Sequence, residues 1–251
     1  LGLSAIPPMH FSPFRNTGLP YVYTWSAVFE GLTKIDSNGN VQPLLATSWK
    51  SINPNTWLIT LRKDVKFSNG RLFDANTVVN VVKFLTSKEA KIHIVSRMMY
   101  FLKSARAIDS HTVEITTKIP TPLLPRFLTM LYALEPVYFN EVGLQKFARN
   151  PIATGPFYVN KIGPTRIYLK SFNDSWRKPR IRNLEIVAVP DSSVRTFSMI
   201  SGEIDIAMQI GPEETRTIIL KGGKEVIWRD AETWGYHFLT KDSSPLMNIK
   251  V

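Results

Sequence analysis

At 251 residues, with 44% hydrophobic residues and a mean hydropathy of −0.06, the chain has apolar matter for one large or two modest folded domains. No apolar run reaches the roughly eighteen residues that a membrane-crossing helix needs. The absence of Cys excludes disulfides and thiol chemistry. A net charge of +11 raises nucleic acid as a partner, but Lys and Arg occur mostly singly or in pairs. Even the densest set, Arg177-Lys178-Pro179-Arg180-Ile181-Arg182, is broken by Pro and Ile, so a dispersed basic surface is expected instead.

The first six residues read as a strand halted by Pro7-Pro8, followed by a loop with His10, Pro13 and Gly18 and an apolar helical segment over 22–32. Asp36-Ser37-Asn38-Gly39-Asn40 begins like a calcium loop. Val41 stands where an EF-hand needs Gly, and no Glu closes the loop, so a hairpin turn is expected. Trp57, Ile59 and Leu61 alternate with Leu58, Thr60 and Arg62, the period of a strand with one buried face. Ser68-Asn69-Gly70 supplies a turn, and Asp74 is placed to cap a helix carrying Val78, Val82 and Leu85 on one face. Residues 88–101 are expected to be helical. Two strands follow, the clear one alternating Val113, Ile115, Thr117 and Ile119 against polar neighbours after a turn at Asp109-Ser110.

Pro120, Pro122 and Pro125 break that strand and admit a short helix over 126–134, and Pro136 and Gly143 are read as ending the region. An antiparallel pair, 157–162 and 166–172, turns at Gly163-Pro164. A βαβ-like rhythm then runs through a strand at 184–189, a helix capped by Asp191 or Ser192 and ending before Gly202, and a short strand at 204–207. Pro212 opens another helix that Gly222-Gly223 closes, with strands expected at 225–229 and 235–240.

No nucleophile elbow, zinc-binding HExxH, dinucleotide fingerprint or phosphate loop occurs. Gly222-Gly223-Lys224 lacks both the upstream Gly and the following Ser or Thr of a phosphate loop, and reads as a helix end. The four His residues, His10, His93, His111 and His237, show no metal-ligand spacing. No catalytic set assembles, and no cofactor is expected. The aromatic groups stand out more. Tyr21, Tyr23 and Trp25 are close together, and Trp234, Tyr236 and His237 form a second cluster. Met130 and Tyr132 make a weaker third. Aromatics with polar tips suit a ligand cleft, though each also suits ordinary core packing.

Several stretches resemble one family. "LRKDVKFSNGRLFDANTVV" (61–79), "VFEGLTKIDSNGNVQPLLATSW" (28–49), "ATGPFYVNKI" (153–162), "SFNDSWRKPRIRNLEIVAVPD" (171–191), "MISGEIDIA" (199–207) and "TKDSSPLMNIKV" (240–251) are similar, in family order, to the extracellular solute-binding proteins of the peptide/nickel class that serve ABC importers. The resemblance implies an α/β fold: a class II periplasmic-binding-protein-like first lobe, with a mixed β-sheet flanked by helices, plus an inserted α+β subdomain. It places the first lobe at 1–48 and 150–243, the insertion at 49–149, and the start of a crossover to a second lobe at 244–251. That second lobe is read as absent from this chain, so the chain is read as an N-terminal part of a longer protein.

The implied role is non-enzymatic capture of a peptide, a nickel chelate or a similar small solute by a periplasmic monomer that has lost its signal peptide. It would deliver that solute to an inner-membrane ABC permease. Ligands then lie between the lobes, which makes His10, Tyr21, Tyr23, Trp25, Met130, Tyr132, Trp234, Tyr236 and His237 candidate cleft-wall residues. Since some relatives carry nickel or haem, His10 and His237 are the positions that could face such a ligand. The acidic residue that pairs with a peptide's amino terminus in relatives belongs to the second lobe and has no counterpart here. Alternatives are a non-transporting homologue, such as a sensor or a gene remnant, and a basic nucleic-acid-binding module.

Overall fold

A computed structural model of the protein describes residues 1–7, 12–15 and 18–227. His10, Trp234, Tyr236 and His237, and the strand expected at 235–240, lie outside the described residues.

The chain opens with β1 (Gly2–Leu3), α1 (Tyr21–Val28) and a hairpin of β2 (Thr33–Ile35) and β3 (Val41–Pro43). A four-stranded antiparallel sheet follows, built from β4 (Ala46–Asn53), β5 (Thr56–Leu61), β6 (Leu102–Asp109) and β7 (Thr112–Thr117) in the order β4-β5-β7-β6. Ile59, Leu61, Val113 and Ile115 are buried on its inner face, with Ile59 paired to Val113. Between β5 and β6 lie α2 (Ala75–Leu85), a 3₁₀ turn (Glu89–Ile92) and the short α3 (Ile94–Met98). Asp74 caps α2 by accepting from the Thr77 N–H at 3.2 Å, and Val78, Val81, Val82 and Leu85 form its buried stripe. Gly70 sits at φ 86°, as the turn before this helix requires.

Next come α4 (Leu124–Phe127), a 3₁₀ turn (Leu128–Met130) and α5 (Pro136–Phe147). The second sheet uses β8 (Phe157–Ile162), β9 (Arg166–Ser171) and β10 (Asn183–Ala188), with β1 added parallel to β10 in the order β1-β10-β9-β8. Helices α6 (Ser192–Ile200) and α7 (Pro212–Leu220) complete the described chain. One continuous core links the two larger sheets, from Leu3, Phe14 and Trp25 through Ile59 and Val113 to Leu169 and Ile186.

Several expected boundaries shift. The opening strand shrinks to two residues, α1 stops at Val28 because Phe29 turns extended (ψ 147°), and 88–101 divides into the 3₁₀ turn and α3. The helix expected at 126–134 is α4 plus a 3₁₀ turn. Pro136 starts a helix instead of ending one. It occupies the first turn, where its missing N–H costs nothing, while Glu135 accepts from the Tyr138 N–H at 2.6 Å. Gly143, at φ 70° and ψ 167°, is not helical and divides α5 at a kink. The strand expected at 204–207 is a single parallel bridge between Ala207 and Gly2, and 225–227 is not a strand.

Candidate functional site

Tyr21, Tyr23 and Trp25 share α1 but not an environment. Trp25 is buried, with its ring edge-on to Phe29 at 6.3 Å; Phe29 in turn stands 6.1 Å from the ring of Tyr132. Burial pushes the Tyr132 phenol up to about 12, so it stays protonated at neutral pH. Tyr21 is half-buried against the core. Tyr23 reaches an open cleft of about 480 Å³, with Met208, Gln209, Ile210 and Ile218 among the residues lining it. Met130 and Tyr132 instead line a separate hollow of about 490 Å³, beside Val22 and Ser26 of α1 and the Phe29 that follows it. Of the described candidates, Tyr23 alone lines the first cleft, and Met130 and Tyr132 share the second.

The far wall of the Tyr23 cleft is fixed by contacts from the chain's first residues and from α6. The Gly2 N–H donates to Ile206 O at 2.8 Å, and the Met208 N–H donates back to Gly2 O at 3.0 Å. Arg195, 3% exposed, spends its guanidinium on backbone carbonyls: Nε to Met208 O at 3.1 Å, Nη2 to Gln209 O at 2.7 Å, and Nη1 to Val189 O at 2.6 Å and Pro190 O at 2.8 Å. Burial lowers its pKa, opposed by Asp191 and Glu214. So held, Gln209 adopts φ 56°, a left-handed conformation that costs a non-glycine residue roughly 1 kcal/mol or more. Its Oε1 accepts from Ser4 Oγ at 2.6 Å. A strained residue over-determined by its surroundings is how a protein presents backbone in a set orientation. The sequence carries little sign of this, because nothing in the wording of 192–200 marks Arg195 as buried.

A second cluster joins stretches 146 residues apart. Glu30, 1% exposed, accepts from Trp176 Nε1 at 3.0 Å, and its Oε1 lies 2.7 Å from Arg177 Nε in an ion pair without hydrogen-bond alignment. The Arg62 guanidinium stacks 4.1 Å over the Trp176 ring and donates from Nε to Leu44 O at 3.1 Å. Burial raises the Glu30 pKa, while Arg177 and then Trp176 pull it down. Beside it the backbones dovetail. A Cβ at Gly31 would meet Thr129 O at 2.3 Å, and one at Gly155 would meet Val28 O at 2.4 Å, so only glycine fits at either position. Among the described residues no group of three or more His, Asp or Glu is placed to hold a metal ion.

Compared with protein families, residues 40–251 match the model for "Bacterial extracellular solute-binding proteins, family 5 Middle". The chain belongs to the family 5 solute-binding proteins. This is a binding family and not an enzyme family. The family 5 chain is 28% identical over 214 residues to the nickel-binding periplasmic protein of Escherichia coli, covering 79% of itself and 39% of that relative. It is 27% identical over 150 residues to the HTH-type transcriptional regulator SgrR of Yersinia enterocolitica, covering 59% of itself and 25% of the regulator. Among solved structures it superimposes on DppA of Helicobacter pylori in complex with the peptide STSA, with a TM-score of 0.76 at 21% identity, covering 87% of itself and 48% of DppA. The fold is therefore that of the class II periplasmic binding proteins. The chain spans less than half the length of each of these relatives.

Proposed function

We propose that this family 5 chain supplies one wall of a solute-binding cleft, in a periplasmic protein that hands a small peptide or nickel chelate to an ABC permease. The wall is Tyr23 with Met208, Gln209 and Ile210, and the observation that carries the reading is the preset, strained Gln209 held by Arg195 opposite an aromatic side chain. Preorganised polar backbone beside an amphipathic ring is what orients a small ligand at low entropic cost. The nickel-binding relative and the peptide-bound DppA support this solute range. Residues 1–48 and 150–243 act as the first lobe and 49–149 as an inserted subdomain. His10, Tyr21, Trp25, Met130, Tyr132, Trp234, Tyr236 and His237 remain further candidates for contact. Ligand closure occurs by hinging against a second lobe, and the protein works as a monomer. A sensor role is the second reading, favoured by the similarity to a transcriptional regulator.

With one wall present, about half of a ligand's contacts are available. If a two-walled site gave about 1 μM affinity, half that free energy would leave roughly 1 mM. Titration of tetrapeptides and of nickel–histidine into the 251-residue chain, followed by amide NMR shifts, is expected to give millimolar isotherms centred on Tyr23, Gln209 and Ile210. Gln209→Ala should abolish those shifts. Micromolar affinity, or shifts clustered elsewhere, would overturn the one-wall assignment.

A further inference from the structure

We propose that the knuckle formed by the 3₁₀ turn and α3 is a docking surface for an anionic phospholipid bilayer. Four large apolar side chains stand exposed within nine residues: Ile92 at 81%, Ile94 and Met98 at 40% and Tyr100 at 65%. They are not spare core residues, because Val95 and Ser96 already fill the inward face of α3 and Met99, just after it, is buried too. Cations surround them. Lys91, Arg97 and Lys118 line the same opening as Tyr100, a cleft of about 380 Å³ at the end of α2, and Lys88 and Lys103 are exposed on either side in the chain. Glu89 is the single acid within 88–103. Among the described residues none of these five cations is ion-paired; Lys118 Nζ donates to the Tyr100 carbonyl at 3.0 Å.

Exposed aliphatic tips ringed by unpaired Lys and Arg match the two attractions of an anionic bilayer: apolar insertion at the acyl boundary and charge at the headgroups. A small soluble anion fits less well, since the opening lies at the C-terminal end of α2, where carbonyl groups disfavour negative charge. A folded protein partner fits less well too. Within 88–103 the four exposed apolar side chains are interleaved with Lys91 and Arg97, whereas the centre of a protein interface is depleted of charge. The surface shares no residue with the Tyr23 cleft, so the inference stands whatever that cleft binds.

The test is co-sedimentation of the 251-residue chain with vesicles of phosphatidylcholine, alone or with about one-third phosphatidylglycerol. Binding is expected to the anionic vesicles only. Lys91→Gln with Arg97→Gln should weaken it about tenfold, and Ile92→Ser with Tyr100→Ser, at unchanged charge, by a similar factor. Lys161→Gln with Lys170→Gln, exposed on the other sheet, should change it less than about twofold. All six side chains are exposed, so circular dichroism and the thermal midpoint should match the parent chain. Four results would overturn the proposal: no binding to anionic vesicles; equal weakening by both charge pairs, which means diffuse adsorption of a basic protein; no effect of the Ile92 and Tyr100 changes; or capture of polyglutamate with the same dependence on Ile92 and Tyr100, which assigns the surface to an acidic protein.

Discussion

Glu30 holds a carboxylate inside the protein with one guanidinium and one indole N–H for company. Its folded-state pKa lies above the ordinary carboxylate value because burial outweighs the pull of Arg177, Trp176 and Thr154. The folded chain therefore holds that proton more tightly than the unfolded chain does. Stability attributable to Glu30 is fullest below the ordinary value and falls as pH rises toward the raised one. Glu30→Gln should flatten that part of the stability–pH profile, measured by urea unfolding across the acidic range. Arg177→Gln strands the carboxylate and should cost about 3 kcal/mol at neutral pH, less on acidification as Glu30 takes up a proton. A loss that does not shrink at low pH would mean that Arg177 acts by packing on its neighbours instead of by charge.

At the scale of elements, the joint between α1 and the 153–155 segment depends on backbone meeting backbone. The Gly155 N–H donates to Val28 O at 2.9 Å, and the Cβ of an alanine would collide with that same carbonyl. Gly155→Ala should destabilise the protein by about 2–3 kcal/mol, read as a lower urea midpoint with an unchanged slope. Glu135→Ala removes the cap of α5 and should cost about 1 kcal/mol by the same measurement. Elements with a local signal were legible in advance. Asp74 before an apolar-periodic run gave α2, Gly163-Pro164 between two alternating runs gave β8 and β9, and Pro212 with Gly222 bracketed α7. The start of α5 is not legible because Pro is ambiguous without context: Pro136 is tolerated at a helix's first turn, while Gly143 does interrupt the helix. The cleft was half legible. An aromatic such as Tyr23 is visible in sequence, whereas Arg195 and Gln209 take their roles from a chain reversal that no local pattern encodes.

For the whole molecule, the two larger sheets differ in how far apart in the chain their partners lie. Strands β4 to β7 come from residues 46–117: β4 with β5 and β6 with β7 pair by short hairpins, and β5 pairs with β7 across the helical excursion and β6. The other sheet needs the first residues of the chain beside nearly the last described ones: the Leu1 amino group donates to Glu185 O at 2.8 Å, across 184 positions, and Gly2 bridges Ala207. Contacts with long sequence separation pay loop-closure entropy before any return. In pulse-labelled hydrogen exchange during refolding, amides of β5 and β7 should gain protection before those of Gly2 and Met208. Simultaneous protection would show that the two sheets form as one cooperative unit.

The β1 register has a further consequence during translation. Gly2 and Leu3 are made well before their neighbours at 187–188 and 206–208, which lie roughly 185–205 positions further along the chain. At about 5–20 residues per second, the interval is on the order of 10–40 s. Throughout that wait Gly2 and Leu3 lack the sheet neighbours they pair with in the folded protein, a window in which a chaperone could hold them.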